Sequence, residues 1–219
     1  MKPLRKMFTL PIISLMKKLD LYSIYSLRTS GPLKDDGWFL SFKKQSSVDA
    51  NGKPVPWITY PAIEFLKKRI HKDMSVFEYG CGGSTLWWAS RVKQIVSVEH
   101  DKDWYQRILP TVPNNVVLEH VELKYGGEYS KKILSYKSSF DIVVIDGRDR
   151  VNCATNSIDA LKPGGVIVWD NSDQKEYQHG CQALIDKGFK KIEFVGLAPI
   201  ANWKAETGIF YRQDNCLGL

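Results

Sequence analysis

Val76-Phe77-Glu78-Tyr79-Gly80-Cys81-Gly82-Gly83-Ser84-Thr85 decides the fold of this chain. A short apolar run ends in a glycine loop, and the loop runs into a helix start: a buried strand, a tight turn, then a helix whose first N–H groups are free. Glycines at such a turn remove the Cβ atoms that would hold a ligand away from the backbone. A dinucleotide fingerprint would place its third glycine where this chain has Thr85, so the loop suits a nucleoside ligand better than a pyrophosphate. Nineteen residues beyond Gly80, Glu99 follows the apolar run Gln94–Val98, where a carboxylate accepts hydrogen bonds from ribose hydroxyls.

Outward from this stretch the apolar pattern alternates between strand and helix, as a parallel sheet with crossover helices requires. Strands are expected at 75–79, 94–98, 116–121, 140–145, 165–169, 191–195 and 207–211, and helices at 60–70, 84–91, 103–109, 148–161 and 174–187. The last two strands are joined by Gly196–Ala205, too short for a crossover helix of about a dozen residues, so they pair antiparallel. The expected architecture is α/β: a Rossmann-like, seven-stranded, mostly parallel sheet with an antiparallel last strand, helices on both faces and an N-terminal extension. Residues 1–56 form an arm and loop, and 57–219 the nucleoside-binding domain.

Over about residues 57–212 the sequence resembles class I S-adenosylmethionine-dependent methyltransferases. Glu78-Tyr79-Gly80-Cys81-Gly82-Gly83-Ser84-Thr85 is similar to their first motif and Val98-Glu99-His100-Asp101 to the acidic end of their second strand. Phe140–Gly147 looks like the fourth-strand motif, and Leu161-Lys162-Pro163-Gly164-Gly165 like the turn before strand five. The resemblance implies S-adenosylmethionine as cofactor and a seventh strand inserted antiparallel beside the fifth. It also implies that Glu78, Gly80 and Gly82 contact the methionine moiety, that Glu99 holds the ribose and that His100 lies beside the adenine. Cys81, Ser84, Thr85 and Asp146 complete the expected cofactor contacts, Cys81 as a small space-filler.

Asp146, Asp170 and Asn171 end two expected strands and should meet at the carboxyl edge of the sheet. Oxygen ligands of this kind suit a hard divalent cation such as Mg2+. The arrangement is similar to that of metal-dependent catechol-type O-methyltransferases, in which a metal orients and acidifies the acceptor hydroxyl. The flanking Gly147-Arg148 and Ser172-Asp173 depart from that family. The alternatives are that Asp146 is a general base held by Arg148, or a structural partner of it. Of the remaining polar residues, His120 reads as a structural histidine in a strand, and His71 and His179 have no visible partner. Trp87, Trp88 and Trp104 read as packing, with aromatics near Trp104 bordering the adenine; Trp38, Phe39, Phe42 and Trp57 read equally as acceptor-pocket lining or core.

Charge is placed unevenly. Residues 1–45 hold nine Lys or Arg against three Asp, and the remainder 22 against 21 acidic residues, so the net +7 lies almost wholly in the arm. A near-neutral body argues against a specific nucleic-acid partner. In the arm, Ile12, Leu15, Met16, Leu19 and Tyr22 follow helical spacing, with Lys17 and Lys18 off that face. Packing on its own domain is the preferred role; a homodimer interface and peripheral contact of residues 1–45 with an anionic membrane are the others. Gly31, Pro32, Asp35, Asp36, Gly37, Gly52, Pro54 and Pro56 make 30–56 read as a turn-rich loop over the substrate.

No apolar run reaches the roughly 18 residues of a membrane span. Lys17, Lys18 and Asp20 stand where a signal-peptide cleavage site would be. Four scattered cysteines without a CxxC pair suggest free thiols, and the expected location is cytoplasmic. The function expected is methyl transfer to an oxygen of a small molecule, sugar or lipid head group. The alternatives are a nicotinamide-dependent oxidoreductase and a non-catalytic cofactor-binding scaffold recruited to membranes.

Overall fold

The computed structural model describes the backbone of residues 4–219 and the side chains from residue 11 onward. Four helices lead: α1 (Leu4–Lys18), α2 (Tyr22–Thr29), α3 (Pro32–Asp35) and α4 (Trp38–Lys44). The α/β body follows as α5 (Tyr60–Lys67), β1 (Ser75–Tyr79), α6 (Gly83–Ala89), β2 (Gln94–Glu99), α7 (Lys102–Ile108), β3 (Val116–His120), α8 (Glu128–Lys131) and β4 (Phe140–Ile145). It ends with α9 (Arg150–Asn156), β5 (Leu161–Asp170), α10 (Gln178–Asp186), β6 (Lys190–Gly196) and β7 (Ala205–Tyr211).

The seven strands lie in the order β3-β2-β1-β4-β5-β7-β6. Strands β1 to β5 are parallel, β7 pairs antiparallel with both β5 and β6, and the seventh strand is thus inserted as expected. Because chain order reverses between β1 and β4, their carboxyl ends diverge into a crevice, the usual ligand position in an open α/β sheet.

Period-two alternation splits the core into two layers. Val76, Ile95, Ile142, Val144, Val166 and Val168 face α5 and α6, where Ile63, Leu66, Trp87 and Trp88 close the layer. Phe77, Tyr79, Val96, Val98, Val143, Ile145, Ile167 and Trp169 face α8, α9 and α10, packing on Tyr129, Cys153, Ala154, Cys181 and Leu184. The paired tryptophans of α6 are therefore core, as read from the sequence. The same alternation points Glu78 into the α6 layer, an acidic residue among apolar neighbours.

The N-terminal region departs from expectation in two ways. Segment 30–56 is not a continuous loop, since it contains α3 and α4. Its Gly and Pro residues are helix punctuation: Pro32 sits at the start of α3, and Gly37 precedes α4 with φ of 84°. A Cβ at Gly37 would lie 2.3 Å from Asp49 C, so the close approach of the 49–50 turn requires glycine. The second departure concerns the arm, which does not bury itself in the domain. No residue of 11–30 is buried, and Ile12, Leu15 and Leu19 stay exposed.

Candidate functional site

The site grows from Glu78. Pairing of β1 with β2 sets Glu78 opposite Ser97, and the first turn of α6 brings Thr85 from the other side. Glu78 Oε2 accepts hydrogen bonds from Ser97 Oγ and Thr85 Oγ1, both at 2.6 Å, while its Oε1 is buried without any partner. Burial raises the carboxyl to about 7 and the nearby Asp146 carboxylate adds to it, against the hydroxyls of Ser84, Ser97 and Thr85. A buried carboxylate oxygen with no partner costs free energy that an incoming cationic donor recovers. Thr85 also accepts from Gly82 N at 3.0 Å, tying the loop to the same carboxylate. That contact is what Thr85 supplies in place of a third glycine.

Gly80 lies at φ of 89°, and a Cβ there would come within 3.1 Å of Gly147. The first glycine therefore lets the loops after β1 and β4 close on each other. Cys81 N donates to Glu99 Oε2 at 2.9 Å, and His100 N and Asp101 N donate to Glu99 Oε1 at 2.8 Å each. Three amides thus fix the carboxylate at the end of β2 while Oε2 keeps capacity for a further donor. His100 Nδ1 is 2.9 Å from Glu99 Oε1 but outside hydrogen-bonding geometry, and it is buried without a partner. Burial pushes the Cys81 thiol up, which keeps it protonated and fits the space-filling role.

Two residues here carry no sequence motif. Trp104 Nε1 donates to Cys81 O at 2.7 Å, laying the indole along the glycine loop. Tyr129 is fully buried, its ring 5.8 Å from that of His100 and its hydroxyl without a partner. A Cβ on Gly147 would fall 2.1 Å from that hydroxyl, so the glycine after Asp146 makes room for Tyr129. Trp104 could be suspected from its distance beyond Glu99; Tyr129 lay outside every motif and only packing reveals it.

Asp146, Asp170 and Asn171 do converge, but around a guanidinium. Arg150 Nη2 donates to Asp146 Oδ1 at 3.0 Å, its Nη1 lies 3.8 Å from Asp170 Oδ2 and 3.4 Å from Asn171 Oδ1, and its Nε donates to Gly147 O at 3.0 Å. Nη1 also donates to Asp170 O. Thr207 Oγ1 satisfies Asp170 Oδ1 at 3.0 Å. Burial pushes both carboxyls up and Arg150 pulls them down. The donor set expected for Mg2+ is thus gathered on a buried cation that already engages Asp146 Oδ1 and Asn171 Oδ1, and the residues do not fit the metal. Among the described residues no group of three or more His, Cys, Asp or Glu could hold one. The partner of Asp146 is also corrected: Arg150 binds it, whereas Arg148 is exposed and acts on it only through its charge.

The N-terminal region covers this edge. Loop 47–55 rests on the start of α6, where a Cβ on Gly83 would meet Val55 O at 3.3 Å. Trp38 Nε1 donates to Ala201 O at 2.7 Å, joining α4 to the β6–β7 loop, and Thr59 N donates to Thr207 Oγ1 at 3.0 Å. Trp38 packs on the core and Trp57 is half-exposed. His120 Nε2 lies 3.2 Å from His100 O, the contact of a structural histidine.

Residues 77–172 match the family model described as Methyltransferase domain. Solved structures share the fold. A precorrin 8w decarboxylase from Methanobacterium thermoautotrophicum aligns with a TM-score of 0.50 at 19% identity, over 72% of this chain and 92% of that one. An rRNA methylase from Streptococcus thermophilus gives 0.52 at 14% identity, over 72% and 100%. A spermidine synthase from Thermotoga maritima gives 0.52 at 15% identity over 68% of this chain, which spans 56% of that protein. No curated protein matches the sequence significantly.

Proposed function

We propose that this chain is a class I S-adenosylmethionine-dependent methyltransferase that methylates an oxygen of a small molecule, a sugar or a lipid head group, without a divalent metal. The observation that carries the reading is Glu78: a buried carboxylate at the end of β1, beside a glycine loop, with one oxygen unpartnered. That oxygen suits the ammonium of a methionine moiety, Glu99 Oε2 suits ribose hydroxyls, and the Trp104 indole borders the same loop.

The bound cofactor supplies a methyl group activated on a sulfonium sulfur. This chain's part is alignment and proton removal, because in-line displacement needs no covalent enzyme intermediate. Asp146 has one oxygen held by Arg150 and a carboxyl pushed up from the ordinary range. It takes the proton of the acceptor hydroxyl while Arg150 keeps it in place. Glu78 and Glu99 would hold the methyl donor, which would supply its methyl group to the acceptor oxygen so deprotonated. Residues 38–57 and the β6–β7 loop wall the acceptor side.

The test is calorimetric titration of S-adenosylmethionine and of NAD into the native protein and Glu78→Gln. Selective binding of S-adenosylmethionine, weakened about 30-fold or more by the substitution, supports the reading. Preference for NAD overturns it in favour of an oxidoreductase.

A further inference from the structure

Among the described residues, seven of the seventeen exposed large apolar side chains fall within sixteen residues of the arm: Ile12, Leu15, Leu19, Leu21, Ile24, Tyr25 and Leu27. Single exposed apolar residues are ordinary, but a run of them on consecutive helical turns marks a surface that meets something else. Ile12, Leu15 and Leu19 recur at helical spacing along α1 and its last turn; Leu21, Ile24 and Tyr25 do so along α2. Asp20, at φ of 55°, forms the elbow between the two helices.

The charge around this surface says what covers it. Residues 1–34 hold seven Lys or Arg against one acid, Asp20, whereas 35–219 hold 24 against 23. Lys17, Lys18, Arg28 and Lys34 are exposed among the apolar residues. A protein interface is depleted of lysine at its core, whereas an interfacial helix combines buried apolar residues with flanking Lys and Arg. At 15 residues α1 is about 22 Å long, short of a bilayer core of about 30 Å, and no described helix is long and apolar enough to cross a membrane.

We propose that α1 and α2 dock this protein on an anionic lipid surface, inserting Ile12, Leu15, Leu19, Leu21, Ile24, Tyr25 and Leu27 at the headgroup boundary while Lys17, Lys18 and Arg28 meet lipid charge. The inference does not depend on the methyltransferase reading. Its test measures binding without turnover.

The full chain is sedimented with vesicles of phosphatidylcholine alone or containing about 30% phosphatidylserine, at ~0.05 and ~0.3 M salt. Binding to the anionic vesicles only, falling severalfold at high salt, is expected. Ile24→Asp/Leu27→Asp and Lys17→Glu/Lys18→Glu should each lower it at least tenfold with S-adenosylmethionine affinity unchanged. Absence of binding by the native chain, or equal binding by the variants, overturns the proposal. So does a native dimer, seen by sedimentation velocity, that Ile24→Asp converts to monomer while no vesicle binding occurs; the face then belongs to a second copy.

Discussion

Glu78 and Asp146 stand near the carboxyl ends of neighbouring parallel strands, β1 and β4, and desolvation pushes the pKa of both up, yet their surroundings are opposite. Glu78 is surrounded by hydroxyls and apolar side chains, with no cation beside it and one oxygen left over. Asp146 meets the Arg150 guanidinium, which also spans Asp170 and Asn171. A buried carboxylate lacking a counter-charge is prepared for a cation that arrives; one already paired is closed to a metal and left to hold or move a proton. The same functional group at the same edge therefore stands in two environments, and the difference lies in a single arginine one helical turn beyond Asp146.

The largest effect should come from removing that arginine. Arg150→Met leaves the buried Asp170 carboxyl and the partly exposed Asp146 carboxylate without their cation and should cost about 3 kcal/mol in chemical denaturation. A loss below about 1 kcal/mol would mean the pair is not closed and would reopen the metal question. Glu78→Gln should act in the opposite sense on the unliganded protein, raising its melting temperature near pH 8 by removing a desolvated charge, while weakening cofactor binding. If stability falls instead, the unpaired oxygen has a partner that the structure does not reveal.

Proton linkage sharpens the contrast further. With the Glu78 carboxyl raised to about 7 and ordinarily near 4.5, the folded state holds a proton that the unfolded chain has lost across that interval. This contribution to stability is present below pH 4.5 and is lost as pH rises to 7, by an amount of order 3 kcal/mol. Cofactor binding needs the ionised form, so affinity should rise by up to about tenfold per unit from pH 6 to 7 and then level. Glu78→Gln should abolish both slopes in denaturation and calorimetric series. The smallest effect expected is none: chelator or added magnesium should leave melting temperature and cofactor affinity unchanged, and a shift with magnesium would break the argument from Arg150.

Much of this was legible beforehand because the informative residues are local. Val, Ile and Phe runs mark the strands within a few residues, and the short 196–205 connection fixes the antiparallel pairing of β6 and β7. The glycine loop, Glu78 and Glu99 fall where their spacing places them. The helices of 30–56 were hidden because the Gly and Pro residues that bound α3 and α4 also mark loops, and neither helix exceeds seven residues. Tyr129 was hidden because its place depends on Gly147 and His100, which adjoin it only after β2 and β4 are paired through β1.

The sequence by itself determined the strand pattern, the glycine turn after β1, the carboxylate at the end of β2 and the concentration of positive charge in the arm, since each depends on residues near one another in the chain. Only the tertiary structure decided which arginine lies between Asp146 and Asp170, that Glu78 keeps an unpartnered oxygen, and that Ile12, Leu15 and Leu19 of the arm stay exposed. Those outcomes depend on burial and on atoms brought together from distant segments. Burial and counter-charge, more than residue type, determine what a carboxylate can do.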